Sequence, residues 1–180
     1  MSLIRLCIIV LTASLISACQ TNGGNLPDRE PIDTSTASLE KPKYEEFVTP
    51  GQILPIQSIV DVNGKTVDLT TTDKRKLVIL FATWCKDSNR ALIALNQSEL
   101  LNDDTVEIIA IAREETPEIV IAWRDKHNIK TPLAADPDRS IYKMFAAAGV
   151  PRFITASTEN KVIKMNLAEE ENQLQLIEWQ

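Results

Sequence analysis

Histidine is almost missing from this chain: His127 is the only one in 180 residues. With just three cysteines beside it, no His/Cys cluster of the kind that holds tetrahedral zinc can be assembled, and no metal site is expected. His127 lies beyond Trp123 on a predicted helix and reads as a surface or partly packed side chain rather than a catalyst. Basic runs are lacking too. Asp and Glu number 25 against 19 Lys and Arg, for a formal net charge of −6. Such a chain has little with which to neutralise a phosphate backbone, which argues against nucleic-acid binding. It also has no basic patch for attraction to anionic lipid. No internal repeat is present, so solenoids and repeat arrays are set aside.

What the chain does have starts at its N-terminus. Met1–Arg5 carries one positive charge, Arg5, and Leu6–Ile16 is almost wholly apolar. That run is short of the about 20 residues that span a bilayer comfortably. A basic start, a short apolar core and small residues leading into Cys19 describe an export signal over residues 1–18. Leu15-Ile16-Ser17-Ala18-Cys19 resembles the bacterial lipobox. The resemblance implies that Cys19 is acylated and becomes the new N-terminus, held on the bilayer by several acyl chains. Gln20 stands where an aspartate commonly signals inner-membrane retention in Gram-negative lipoproteins. The resemblance therefore places the anchor in the outer membrane, facing the periplasm. Residues 20–50 are rich in Thr, Ser, Asn, Gly, Pro and Glu and read as a flexible tether. The expected plan is a signal (1–18), a lipid-anchored tether (19–50) and one folded domain (51–180). Cys7 leaves with the signal and Cys19 takes lipid, so Cys85 is the one free thiol. An unpaired cysteine in an exported protein flags a reactive thiol or pairing with another molecule.

Within the domain, Ile56–Val62 and Thr66–Leu69 flank Asn63-Gly64, a strong hairpin signal. Leu77–Ala82 is a continuous apolar run of strand length, as expected for a strand covered on both faces. Cys85–Leu101 reads as a helix with an apolar stripe of Ala91, Leu92, Leu95 and Leu100. Val106–Ala112 is a second buried strand. Thr116-Pro117 opens a helix whose buried face is Ile119, Val120 and Trp123. A short strand follows near Thr131–Ala135, then a helix over Asp138–Ala148 ended by Gly149. Arg152–Ala156 and Lys161–Met165 make a second hairpin. Asn166 to Glu169 has capping-box spacing and predicts a last helix to about Trp179, with Glu169-Glu170-Glu171 as its acidic first turn. Strands alternating with helices predict an α/β fold built on parallel central strands, with an antiparallel edge.

Phe81-Ala82-Thr83-Trp84-Cys85-Lys86-Asp87-Ser88 sits where the first buried strand turns into a helix. A cysteine at a helix N-terminus faces unpaired N–H groups and the positive end of the dipole, which favours its thiolate. Lys86 adds a nearby cation. Ser88 is one helical turn on, where its hydroxyl is placed to donate to the sulfur.

A strand, then Trp-Cys-x-x, then a helix, with Gly149-Val150-Pro151 far downstream, resembles the thioredoxin fold. The leading hairpin, the Phe-Ala-Thr-Trp-Cys run and the export signal make it similar to membrane-tethered thioredoxins of the TlpA/ResA type, over about residues 51–180. The resemblance implies a central mixed sheet flanked by helices with an added N-terminal hairpin. It implies a cis Val150–Pro151 bond beside the reactive cysteine, and a substrate groove shaped by Trp84, Val150 and Pro151. Two positions depart from that family. Its second active-site cysteine is Ser88 here, and its buried acid six residues before the first cysteine is Ile79. Peroxiredoxins share the fold and use one attacking cysteine. Their motif has Pro seven and Thr three residues before it, where this chain has Val78 and Ala82, so no peroxiredoxin match is expected.

The expectation is thus a lipid-anchored, extracytoplasmic protein acting on protein thiols and disulfides through Cys85, with Ser88 supporting the thiolate and no cofactor. The alternative is a redox-inactive thioredoxin fold that binds a partner.

Overall fold

The computed structural model describes residues 44–180. The expected signal, Cys19 as the expected lipid attachment site and most of the expected tether lie outside the described residues.

Two short strands, β1 (Ser58–Val60) and β2 (Thr66–Asp68), form the expected antiparallel hairpin. Gly64 takes φ +82 at its turn. The Asp61 carboxylate accepts the N–H groups of Asn63 and Lys65 at 2.8 and 2.9 Å, which fixes the turn locally. The main sheet has five strands: β3 (Arg75–Phe81), β4 (Val106–Arg113), β5 (Leu133–Asp136), β6 (Arg152–Ala156) and β7 (Val162–Leu167). Their order is β5-β4-β3-β6-β7, with β3, β4 and β5 parallel and β6 and β7 antiparallel to their neighbours. The central strand β3 is covered on both faces, which is why its sequence reads as unbroken apolar residues instead of an alternation.

Alternate residues of β3 feed two cores. Leu77, Ile79 and Phe81 join Ala91, Leu92 and Leu95 of helix α1 (Lys86–Asn96) and Val120 and Trp123 of helix α2 (Pro117–His127). The Phe81 and Trp123 rings pack at a tilt of 45° with centroids 5.4 Å apart. Each such buried large side chain contributes about 2 kcal/mol from apolar burial. On the other face, Val78, Leu80 and Ala82 join residues from β1, β2, Tyr142, Phe145 and the N-terminal segment. Ile119, expected on the buried face of α2, is 49% exposed, and Leu100 falls in a separate 3-10 turn, Glu99–Asn102, beyond the end of α1. Helix α1 is therefore shorter than its apolar stripe suggests, and α2 buries a narrower face, Val120 and Trp123.

Two expected helices do not form. Between Asp138 and Ala148 there is only a 3-10 turn at Tyr142–Met144. The buried Asp136 carboxylate accepts the N–H groups of Ile141 at 3.1 Å and Tyr142 at 2.7 Å, and Arg139 sits at φ +63. Those bonds fix a turn in place of a regular helical start. At the C-terminus Asn166 is not a cap. It pairs with Phe153 as part of β7, and its side-chain amide donates to the Leu176 carbonyl at 2.6 Å. Only a 3-10 turn, Gln173–Leu176, follows. The Glu169 and Glu170 carbonyls accept from the Arg90 guanidinium.

The folded part also starts earlier than composition suggests. Phe47 N–H donates to the Phe145 carbonyl at 2.8 Å, and Ala147 N–H donates to the Glu45 carbonyl at 2.9 Å, so residues 45–47 pair antiparallel with 145–147.

Candidate active site

Strand β3 delivers Cys85 to the N-cap position of α1, with extended backbone (φ −85, ψ 121), and the first helical bond runs from Asn89 N–H to the Cys85 carbonyl at 3.0 Å. The thiol is therefore at the end of α1 that carries the open N–H groups. Cys85 is half-buried and unpaired. Its neighbour Trp84 is 67% exposed, so the ring extends into solvent beside the sulfur. Lys86 is also exposed. Ser88 lies on the first turn of α1 and is wholly buried, and its Oγ accepts the Ala82 N–H at 3.3 Å. Ile79, at the family's acid position, is an enclosed member of the helix-side core.

The Val150–Pro151 bond is cis, as the resemblance implies. It faces the cysteine: Cys85 Sγ is 3.5 Å from the Val150 carbonyl oxygen, to which the thiol donates. The structure thus brings Cys85 against the cis Val150–Pro151 loop from 65 residues away in sequence, with Ser88 enclosed on the first turn of α1 and Trp84 exposed.

The loop that carries the cis bond is held by its carbonyls. The Ala147 oxygen accepts from the Arg139 guanidinium. The Ala148 oxygen accepts from Arg152 Nε and Nη2 at 3.1 and 2.7 Å. The Gly149 oxygen accepts from the Tyr142 hydroxyl at 2.6 Å, the Val150 oxygen from Cys85, and the Pro151 oxygen from Ala168 N–H at 2.9 Å. Each backbone acceptor from 147 to 151 has a specific donor, so the loop is over-determined. The Tyr142 ring is itself clamped, with the Arg113 and Arg139 guanidiniums 4.7 and 4.9 Å from its centroid.

One charged group beside the site carries no sequence signal. Glu115, just past β4, is 4% exposed. Its carboxylate accepts the Thr83 N–H at 2.9 Å and the Thr83 hydroxyl at 2.8 Å, two residues before the cysteine. Burial pushes its carboxyl above the usual range, against the opposing pull of the two Thr83 bonds. Its neighbour Glu114 stands at φ +59 and pairs instead with Arg113, whose bond holds that carboxyl below the usual range. Sequence gives no reason to separate these adjacent glutamates. Arg152, Tyr142 and Glu46 are likewise silent in the sequence. His127 is half-buried, its ring 5.2 Å from that of Trp123. Among the described residues no group of three or more His, Cys, Asp or Glu is set to hold a metal ion, and no helix is long and apolar enough to cross a membrane.

The model of the AhpC/TSA family matches residues 50–165. The thiol-disulfide oxidoreductase ResA of Bacillus thuringiensis subsp. konkukian (strain 97-27) is 26% identical over 122 residues, covering 67% of this chain and 70% of that protein. A putative peroxiredoxin of Mycobacterium tuberculosis (strain CDC 1551 / Oshkosh) is 21% identical over 135 residues, covering 73% and 85%. Val78 and Ala82 in place of the peroxiredoxin Pro and Thr therefore do not remove the likeness to those proteins. Among solved structures, a putative protein disulfide isomerase from Bacteroides thetaiotaomicron superposes with a TM-score of 0.66 at 25% identity, covering 73% of this chain and 87% of that one. A secreted disulfide oxidoreductase from Mycobacterium tuberculosis has a TM-score of 0.56 at 16% identity, covering 66% and 90%, and shows the fold alone. The fold is thioredoxin-like, with a mixed central sheet flanked by helices.

Proposed function

The chain belongs to the AhpC/TSA family, and on that premise we propose that it is a membrane-anchored, extracytoplasmic thiol-disulfide oxidoreductase working through the single cysteine Cys85. The observation that carries this reading is the placement of Cys85 at the N-terminus of α1, facing the Val150 carbonyl across a cis-proline loop. Similarity to ResA and to the disulfide isomerase supports protein thiols and disulfides as the substrate class.

The chemistry is thiol-disulfide exchange. The Cys85 thiolate attacks one sulfur of a substrate disulfide. A Cys85–substrate disulfide forms, the substrate S–S bond breaks, and the other substrate sulfur leaves as thiolate. Ser88 has a hydroxyl where a dithiol enzyme has its resolving sulfur, and oxygen cannot complete the second exchange. An external thiol attacks Cys85 Sγ and expels the remaining substrate sulfur as thiolate, and a second equivalent of that thiol then frees Cys85 by leaving as a small disulfide. In a reshuffling, another substrate thiol attacks the substrate sulfur of the mixed disulfide, forms a new substrate disulfide and expels the Cys85 thiolate. The Ser88 Oγ accepts from Ala82 N–H, which leaves the hydroxyl proton to turn towards the sulfur one helical turn back. Pro151 and Val150 shape the groove, and Trp84 offers an apolar contact to an incoming chain. The acylated Cys19 would hold the domain at the membrane, and the absence of Asp after it favours the outer membrane.

Insulin reduction tests the reading. The expected rate is slow and rises steeply with added small thiol, a Cys85–insulin species accumulates when that thiol is scarce, and Cys85→Ser abolishes both. A putative peroxiredoxin is among the similar proteins, so hydrogen peroxide is tested in place of insulin. Consumption of peroxide without insulin reduction would replace this reading with a peroxidase. Neither activity, with partner capture surviving in Cys85→Ser, would make the domain a redox-inactive binding module.

A further inference from the structure

Arg152 is the largest fully enclosed side chain among the described residues. A buried guanidinium is costly unless each of its donors is used, and here they are divided between two partners. Nε and Nη2 converge on the Ala148 carbonyl, while Nη1 donates to Glu46 Oε1 at 2.6 Å. The β-sheet register fixes where this happens. Arg152 follows the cis-proline directly, and it pairs with Leu80 of β3 and Leu167 of β7. Glu46 comes from the opposite direction. It belongs to the segment at 45–47 that pairs with 145–147, so it enters the site from the N-terminal side of the domain. Its side chain is 39% exposed against 1% for Arg152, so an exposed acid is the counter-charge for a buried cation.

The chain of contacts runs from Glu46 through Arg152 to the Ala148 carbonyl, and from there two residues along the loop to the Val150 carbonyl that faces Cys85 Sγ. We propose that Glu46 and Arg152 are a positioning pair for the reactive cysteine: the N-terminal segment, through Glu46, sets how closely the cis-proline loop closes over Cys85. Arg152 alone cannot do this. Without Glu46 the Nη1 donor faces only the water that enters on the side the exposed acid had covered, and turning towards that water loosens the guanidinium's hold on Ala148. The loop would then stand further from the sulfur. Two effects follow with opposite signs. A small reagent reaches Cys85 more easily, since the loop covers it less. A protein disulfide reacts less well, since the groove no longer presents a fixed edge. Loss of stability by itself does not produce that opposition. This inference rests on the assignment of Cys85 as the nucleophile, and its first readout needs no enzymatic activity.

The test measures Cys85 alkylation by iodoacetamide at pH 7 in the folded protein. Glu46→Ala is expected to raise the rate roughly fivefold, the size of effect that follows loss of one charged hydrogen bond. Glu46→Gln, which keeps an acceptor for Nη1, is expected to restore most of the wild-type rate. Leu95→Ala is the control for stability alone, because it opens a cavity in the core on the far face of the sheet. It is expected to leave alkylation unchanged. Insulin reduction with added thiol is expected to fall in Glu46→Ala while alkylation rises. Equal alkylation in Glu46→Ala and wild type would overturn the positioning role, as would an increase matched by Leu95→Ala. If the wild type fails to reduce insulin, the functional reading fails, and the alkylation comparison still decides the fate of the pair.

Discussion

Gly149 has no space for a side chain. Its φ is +89, and a Cβ there would lie 2.9 Å from Leu167 Cδ1 and 3.0 Å from Tyr44 Cδ2. Gly149→Ala is therefore expected to lose about 2 kcal/mol, from a backbone conformation unfavourable to L-residues and from contact with two packed side chains. Urea denaturation measures it, and the change should appear without loss of the Cys85 thiol. Glu115 gives a prediction in pH. Its carboxyl holds a proton more tightly in the folded chain than in the unfolded one, so ionising it costs more when folded. The folded state is thus favoured at pH below the ordinary glutamate range. That advantage is lost as pH rises through the raised value. Glu115→Gln keeps an acceptor for Thr83 and has no proton to lose. Across a series of urea titrations from acid to neutral pH, the wild type should lose stability relative to the Gln variant as pH rises. A difference that stays flat with pH would show that the carboxyl is not perturbed. Tyr142→Phe removes only the hydroxyl that holds the Gly149 carbonyl, and should cost about 1 kcal/mol.

At the scale of elements, the first turn of α1 makes the sharpest prediction. Ser88 is enclosed on the turn that follows Cys85, where dithiol relatives carry their second sulfur. Ser88→Cys should form a disulfide with Cys85 on mild oxidation, readable as a mass loss of about two hydrogens. It should also raise insulin reduction and weaken its dependence on added thiol. Folded Ser88→Cys protein that forms no such bond would place the two positions wrongly. The elements that position this turn were legible in sequence because their signals are local. The apolar run of β3, the Thr-Trp-Cys junction and Pro117 at the start of α2 each act within a few residues. Residues 138–148 misled because their helical pattern is overruled by one buried carboxylate, Asp136, upstream of it. The C-terminal pattern misled because pairing with β6 takes Asn166 into β7. Cys85 was singled out by its place at a strand–helix junction, whereas the cis Val150–Pro151 bond came only from the family resemblance. Glu115, Tyr142 and Arg152 were not legible, since their roles come from partners that only the fold brings near. Glu46 and Arg152 are separated by 106 residues, and no local pattern can encode that bond.

At the scale of the whole molecule, the expected anchor is tested by mass. Protein extracted from membranes should begin at Cys19 and carry acyl groups, and Cys19→Ala should stop the processing. A mature chain starting elsewhere and lacking lipid would remove the anchor while leaving the domain chemistry intact. Both faces of the sheet are closed by distant parts of the chain. On one face α1 and α2 pack against the strands they follow, together with Ala168 and C-terminal residues up to Trp179. The other draws on Val48, the hairpin, Tyr142, Val150 and Val162, which span nearly the full described chain. During synthesis the chain emerges from its N-terminus, so residues 45–47 appear early and their partners at 145–147 arrive about a hundred residues later. The earliest part of the domain is then among the last to be seated. Long loops close slowly compared with local contacts. Cys85 is therefore exposed as an ordinary thiol for most of that interval. It acquires its facing carbonyl only when the chain is almost complete, so a prematurely ended chain would carry the cysteine without the site.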